Sequence, residues 1–436
     1  MDEGGLMRIL HVTDNYPPAT GGLERAVQAM ARGQAESGHS VHVATLGRPG
    51  LPDVEVDGGV LVHRVEGLTR FLRRFSADPD HQFHPTIADP QLVRALETLV
   101  DTVRPDVVHA HGWIVASVLG LRRRPGMIVA HTLHDYGTTC ARKTMMRGGR
   151  LDELCAGPSL RRCLPCAKGA YGAAKGTALT LGLATRRLSR IDLYLPISSA
   201  VAGTLHDVDP SRVRVLPSFV PDEVAASVAP NAPETLPRPD FLPPGPFLLA
   251  VGQLGEHKGI GTLLEAHRAM RHALPLVLIG PRRPDTPDLS GTPDRPVSVH
   301  EGVPHEQIMA AHRAAEVVVA ASRWAEPLGL VAVEALAAGT PVVAGDVGGL
   351  PDVVGPDCGV LVPPGDAAAL AAALDALLDD PERRARLGAA GPARAARFTA
   401  AAVLPELEAA YREALEGRAS RDGVTSLSAT GATSAT

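Results

Sequence analysis

The strongest constraint on the fold is an alternation that runs through the chain twice. Short apolar runs are separated by stretches with helical spacing. Ile9-Leu-His-Val12 reads as a strand, and Gly21 to Ser37 follows it with apolar side chains at Leu23, Ala26, Val27 and Met30. That spacing places them on one helix face. Gly38 closes the helix, and Val41-His-Val-Ala44, Val107-Val-His-Ala110, Ile128-Val-Ala-His131 and Leu193-Tyr-Leu-Pro196 continue the strand series. Runs this apolar suit a parallel sheet covered by helices on both faces. Prolines then crowd Pro221 to Pro246, which reads as a linker. A second series follows at Phe247 to Val251, Leu276 to Ile279, Val297 to His300, Val317 to Ala320 and Thr340 to Ala344. Helices are expected at Gly261 to His272, Ala367 to Leu378, Glu382 to Phe398 and Ala400 to Gly417. The expectation is an α/β chain of two doubly wound domains, 7–220 and 247–399, with ligand held between their strand carboxyl ends. The remaining segments are a linker at 221–246, a final helix at 400–417 and a disordered Ser/Thr/Ala/Gly-rich tail at 418–436.

A length of 436 residues exceeds one ordinary core, and 45% hydrophobic with 21% charged residues suits two soluble ones. Aromatic side chains make up only 3%, too few for a stacking platform, so no nucleic-acid partner is expected. Net charge is −5, yet Ala141 to Arg190 carries eleven Lys and Arg against Asp152 and Glu153. Such a segment suits anionic lipid or a phosphorylated acceptor, though a patch of this kind is more often a plain solvated face. No apolar run reaches about 18 residues, and the first residues lack the apolar core of a signal peptide. A cytoplasmic protein with reduced thiols is expected, with peripheral contact at the inner membrane face through the basic segment.

Glu326-Pro-Leu-Gly-Leu-Val-Ala-Val-Glu334 sets two carboxylates around an apolar run. Read as one helix from Leu328 to Ala338, with Pro327 in its first turn, it separates them by roughly 12 Å. A glycosidase pair sits about 5 to 9.5 Å apart, so that chemistry is disfavoured. Two ends of one elongated ligand fit better, with a phosphate against the N–H groups near Leu328, Gly329 and Leu330. The competing reading is a helix N-terminal charge at Glu326 and a paired core acid at Glu334. Thr20-Gly21-Gly22-Leu-Glu24 opens a helix after the first strand, where backbone can approach a diphosphate. It is not the dinucleotide fingerprint. His131-Thr-Leu-His134-Asp-Tyr and Gln253-Leu-Gly-Glu-His-Lys258-Gly also follow strands. Cys140, Cys155, Cys163 and Cys166 fall within 27 positions and end in C-x2-C, a pattern that suits structural zinc or free thiols. Cys358 is isolated and reads as a core residue.

The spacing Glu-x7-Glu followed by Ala-x-Ala-x-Gly-Thr-Pro-Val-Val closely resembles the C-terminal signature of glycosyltransferase family 4, and the resemblance runs from Arg8 to about Gly417. It implies the GT-B fold, two Rossmann-like domains with a final helix crossing back to the first. The implied activity is retaining transfer of a hexose-type sugar from a nucleoside-diphosphate sugar (UDP or GDP) to an acceptor hydroxyl, with no metal required for chemistry. Carried over, Glu326 contacts the hexose and Glu334 the ribose, Gly21 and Gly22 form the glycine loop, and His134 lies beside the hexose. Lys258 clamps the diphosphate. Gln253 stands where the family has Arg, with Arg282 a candidate to compensate, and Gln supplies no charge. Val303 belongs to the segment that meets the base through backbone groups. Gly348-Gly-Leu-Pro-Asp352, Ser198 and Ser199 match lining segments, and His109 and His111 fall on the acceptor side. Other GT-B activities, epimerisation or phosphorolysis, and a silent sugar-nucleotide-binding scaffold are the rival readings.

Overall fold

The structure is a computed structural model and describes residues 5–19, 21–75, 82–220 and 237–430, with backbone alone for 72–75 and 421–430. Thr20 and most of the expected linker lie outside the described residues.

Two sheets organise the chain. The first contains β1 (Arg8–Thr13), β2 (Ser40–Leu46), β3 (Val54–Asp57), β4 (Val60–Val65), β5 (Val107–His111), β6 (Ile128–Leu133) and β7 (Leu193–Pro196). Their order is β3-β4-β2-β1-β5-β6-β7, and every pairing is parallel except the edge pair β3–β4. The second contains β8 (Leu248–Val251), β9 (Leu276–Ile279), β10 (Val297–His300), β11 (Val317–Ala320), β12 (Val342–Gly345) and β13 (Gly359–Val362), all parallel in the order β10-β9-β8-β11-β12-β13. The central strands β5 and β6 are buried along their whole length, which is why they read as continuous apolar runs.

Three strands escaped the sequence reading. β3 and β4 form a hairpin about Gly58-Gly59 at the sheet edge, where exposure alternates along each strand and Val54, Val56 and Leu61 face solvent. Their alternation has period 2, unlike the buried strands around them. β13 is a four-residue strand that begins at a glycine.

The last helix, Ala400–Thr430, begins beside the second domain and packs on the first. Val403, Leu404, Leu407, Ala410 and Tyr411 form one core with Met7, Ile9, Met30, Val107, Ile128 and Leu193. The helix continues past Gly417 into the stretch expected to be a disordered tail. The helical backbone continues there through Gly423.

Candidate active site

The carboxyl ends of β1, β6, β8 and β11 deliver side chains to one cleft of about 380 Å³. Gly22, His134, Gln253, Lys258 and Glu326 line it, together with Leu328, Gly329 and Leu330. Eight of the sequence-predicted residues therefore meet in one place. Gly21, Val303 and Glu334 lie outside the lining set.

The Glu-x7-Glu segment does not form one helix. The helix is Leu330–Ala337, capped by Gly329 at φ 98°, ψ 56°, a left-handed conformation that suits glycine. Pro327 and Leu328 precede it, so helical rise does not set the separation of the two carboxylates. The bend instead presents Leu328, Gly329 and Leu330 to the cleft at the helix start, where the first N–H groups lack intrahelical acceptors. Gly348, at φ 63°, fits against this bend, and the Gly349 N–H donates to the Glu326 carbonyl at 2.7 Å.

One oxygen of Glu326 takes all its donors. Oε2 accepts from Lys258 Nζ at 2.5 Å, Trp324 Nε1 at 3.0 Å and Ser322 Oγ at 3.1 Å. Among the described residues Oε1 carries none of these contacts. Burial pushes the carboxyl's pKa up, but Lys258 and the Ser322 and Trp324 hydrogen bonds outweigh it and leave it below its ordinary value. Trp324 and Ser322 lay two and four residues from Glu326 and escaped the sequence reading, because neither belongs to a recognisable spacing.

Glu334 is held by histidines. His305 Nε2 lies 2.9 Å from its Oε1, and His312 Nε2 3.7 Å from its Oε2. Burial raises its pKa, yet the His305 and His312 contacts bring it to about 2. Because the folded value is depressed from 4.5, this carboxylate stabilises the fold above the unfolded pKa and loses that contribution as pH falls toward about 2. Urea midpoints at pH 6 and pH 3 should therefore fall more steeply for the natural chain than for Glu334→Gln. Parallel slopes would show that the carboxylate is not linked to stability.

His134 heads a buried chain. Its Nε2 is 3.0 Å from His111 Nδ1, His111 Nε2 is 3.0 Å from His11 Nδ1, and His11 Nε2 is 2.8 Å from Gln34 Oε1. Burial lowers the pKa of His11 and His134 to about 4 and that of His111 well below its usual value, so all three rings are neutral near pH 7. Each ring then has one N–H. The Gln34 carbonyl oxygen only accepts, so His11 Nε2 holds the proton, His111 Nε2 donates to His11, and His134 Nε2 donates to His111. His134 Nδ1 is left without a proton, as an acceptor.

His109 and His111, expected on the acceptor side, are fully buried and cannot meet an acceptor. His109 instead bonds Thr132 Oγ1 at 2.7 Å and Tyr411 Oη at 2.6 Å, tying the last helix beneath the histidine chain.

The arginine that meets Gln253 is a neighbour of the expected residue. Arg283 Nη1 donates to Gln253 Oε1 at 3.0 Å, whereas Arg282 turns to Glu301 at 3.2 Å. Across the cleft, Ser199 N–H and Oγ donate to Asp352 at 2.6 and 2.7 Å, joining the two domains beside the Gly348 loop. Much of the basic segment is spent internally. Lys143, Arg147 and Arg150 pair with Asp135, Glu153 and Asp152, and Arg190 donates to the Leu119 and Leu121 carbonyls. No helix among the described residues is long and apolar enough to cross a membrane.

Two doubly wound domains with a cleft at their facing strand ends have the architecture of the GT-B fold. The solved structure of sucrose-phosphate synthase from Thermosynechococcus elongatus superposes with a TM-score of 0.64 at 24% identity, covering 94% of this chain and 100% of that one. Anabaena HepE in complex with UDP and glucose gives 0.60 at 17% identity, covering 92% and 98%. Residues 20–224 match the family described as Glycosyltransferase Family 4, and residues 235–394 that described as Glycosyl transferases group 1. The chain is 31% identical to D-inositol 3-phosphate glycosyltransferase 1 of Catenulispora acidiphila over 91% of its length and 92% of that protein. It is 29% identical to glycogen synthase of Mycobacterium tuberculosis over 87% and 89%. The chain belongs to glycosyltransferase family 4, and it is an enzyme of that class.

Proposed function

We propose that this enzyme moves a hexose-type sugar from a nucleoside-diphosphate sugar, UDP- or GDP-linked, to an acceptor hydroxyl with retention of configuration. The observation that carries the reading is the Glu326 carboxylate, with Oε2 saturated by Lys258, Trp324 and Ser322 and Oε1 left to the cleft. A carboxylate oxygen freed in this way accepts two hexose hydroxyls without paying for rearrangement. His134 Nδ1 accepts a further hydroxyl. Lys258 and the N–H groups around Leu328 to Leu330 stabilise the departing diphosphate, with Arg283 and Gln253 adding charge and a donor at the side. Glu334 takes the ribose hydroxyls. HepE, solved with UDP and glucose, and the inositol phosphate and glycogen activities in the relatives' names support the substrate class.

Turnover tests the reading. Incubation with UDP- and GDP-sugars and a panel of polyol, sugar-phosphate and glucan acceptors should yield a glycoside with the donor's anomeric configuration. Epimerised donor, or no turnover with any pair, would refute it. The division of labour has its own test. In calorimetry, Glu334→Ala should weaken the free nucleoside diphosphate, while Glu326→Ala should weaken mainly the intact nucleotide sugar. Equal losses for both ligands in both variants would overturn it.

A further inference from the structure

The segment that follows His134 and Asp135 gathers four cysteines from three places. Cys140 ends a short turn, with its N–H on the Tyr136 carbonyl at 2.8 Å. Cys155 comes from the return of a loop, with its N–H on the Met145 carbonyl at 2.7 Å. Cys163 and Cys166 occupy the Leu160–Tyr171 helix at i and i+3, a spacing that puts both on one face. All four line a single cavity of about 640 Å³, and none is in a disulfide.

Three further features suit thiolates at this cavity. The Ser159 N–H points at Cys163 Sγ from 3.4 Å, and a backbone N–H to sulfur steadies a negative thiolate. Arg142, Arg147, Arg161 and Arg162 line the same cavity and offset the net negative charge of four thiolates around a divalent ion. The loop between Cys140 and Cys155 is also costly as backbone, since Lys143 and Met145 both have left-handed φ, at 60° and 52°. Non-glycine residues hold that conformation only where surrounding structure enforces it.

A different set competes for a metal. Among the described residues, His11, His109 and His111 have ring nitrogens already within 4.8 Å of one another. Those nitrogens are taken by Gln34, His134, Thr132, Tyr411 and each other, as neutral buried rings. Binding there would break the hydrogen-bonded chain behind His134. The cysteine sulfurs are more widely spaced than these nitrogens, yet all four cysteines line one cavity.

We propose that Cys140, Cys155, Cys163 and Cys166 bind one Zn²⁺ as a closed, four-thiolate structural site. Soft sulfur ligands in a tetrahedral set select zinc or an iron–sulfur cluster, and a closed set leaves no position for substrate. The ion organises the stretch that carries Asp135, whose carboxylate meets Lys143 at 3.4 Å between the first two ligands' flanks. Zinc therefore braces the cleft wall next to His134 without touching the reaction.

The full chain, purified without added metal or chelator, should contain about one zinc per molecule by elemental analysis. Cys163→Ser and Cys166→Ser should each lower it to roughly a tenth or less, while Cys358→Ser should leave it unchanged. Should the two serine variants fail to fold, stepwise mercurial titration of the natural chain gives the same answer, with zinc released as the four thiols react. Less than about a tenth of an equivalent in the natural chain, with the thiols freely reactive, would overturn the proposal. So would iron with acid-labile sulfide and visible absorbance, or disulfides among these cysteines in protein kept under reducing conditions.

Discussion

Replacing Lys258 by alanine is expected to lower kcat/KM for sugar transfer by about a hundredfold or more, the scale of losing one transition-state charge contact of about 3 kcal/mol. Two losses combine. The diphosphate loses its ammonium partner as negative charge develops on the leaving group. Glu326 loses the closest of its three donors, at 2.5 Å, and burial then dominates its pKa. With Lys258 absent the carboxyl should titrate higher, so the acid limb of the pH profile should move toward neutrality. Arg283→Ala removes a charge that reaches the site only through Gln253 and is half exposed, so about a tenfold weakening of donor binding is expected. Near-normal kinetics in Lys258→Ala, or an unmoved acid limb, would remove Lys258 from the diphosphate.

Gly348→Ala is expected to abolish most turnover and to cost about 2 to 4 kcal/mol of stability. A Cβ at Gly348 would sit 2.2 Å from the Glu326 carbonyl oxygen and 2.4 Å from its nitrogen, with the backbone at φ 63°. Both are backbone atoms and cannot rotate away, so Glu326 must shift, and with it the carboxylate proposed to hold the hexose. Gly302→Ala separates contact from strain. Its φ is 67°, but nothing lies within 4 Å of the added Cβ. That variant should lose about 1 kcal/mol and keep its turnover. Matching losses in the two variants would show that backbone strain alone, rather than displacement of Glu326, governs the result.

The two-domain architecture was legible because buried parallel strands leave a mark that composition alone cannot imitate. β5 and β6 are buried throughout and open on apolar pairs, Val107-Val108 and Ile128-Val129, and the helices between strands carry one-sided spacing. The β3–β4 hairpin left a weaker mark because its side chains alternate and half of them face water. At the site, residues within a continuous spacing were readable, and His134, Lys258 and Glu326 do line one cleft. Contacts made across the fold were not. Arg283 meets Gln253 over 30 positions, and His11 meets His111 over 100. Sequence spacing also mistook the bend at Gly329 for the interior of a helix, because an Ala-, Leu- and Val-rich run hides a single left-handed residue. His109 and His111 pointed to the right region with the wrong role, since a histidine at a strand end looks the same whether it opens to the cleft or braces a ring that lines it.

The last helix also fixes an order of events during synthesis. One face of the first sheet, at Ile9, Val107, Ile128 and Leu193, is covered by Val403 to Tyr411. Those residues leave the ribosome only after the whole second domain has been made. The earliest half of the nascent chain must therefore wait with an oily face open while some two hundred later residues emerge, a period in which chaperone capture competes with premature association. The first domain closes its core only when Val403 to Tyr411 arrive, after the second domain is already made.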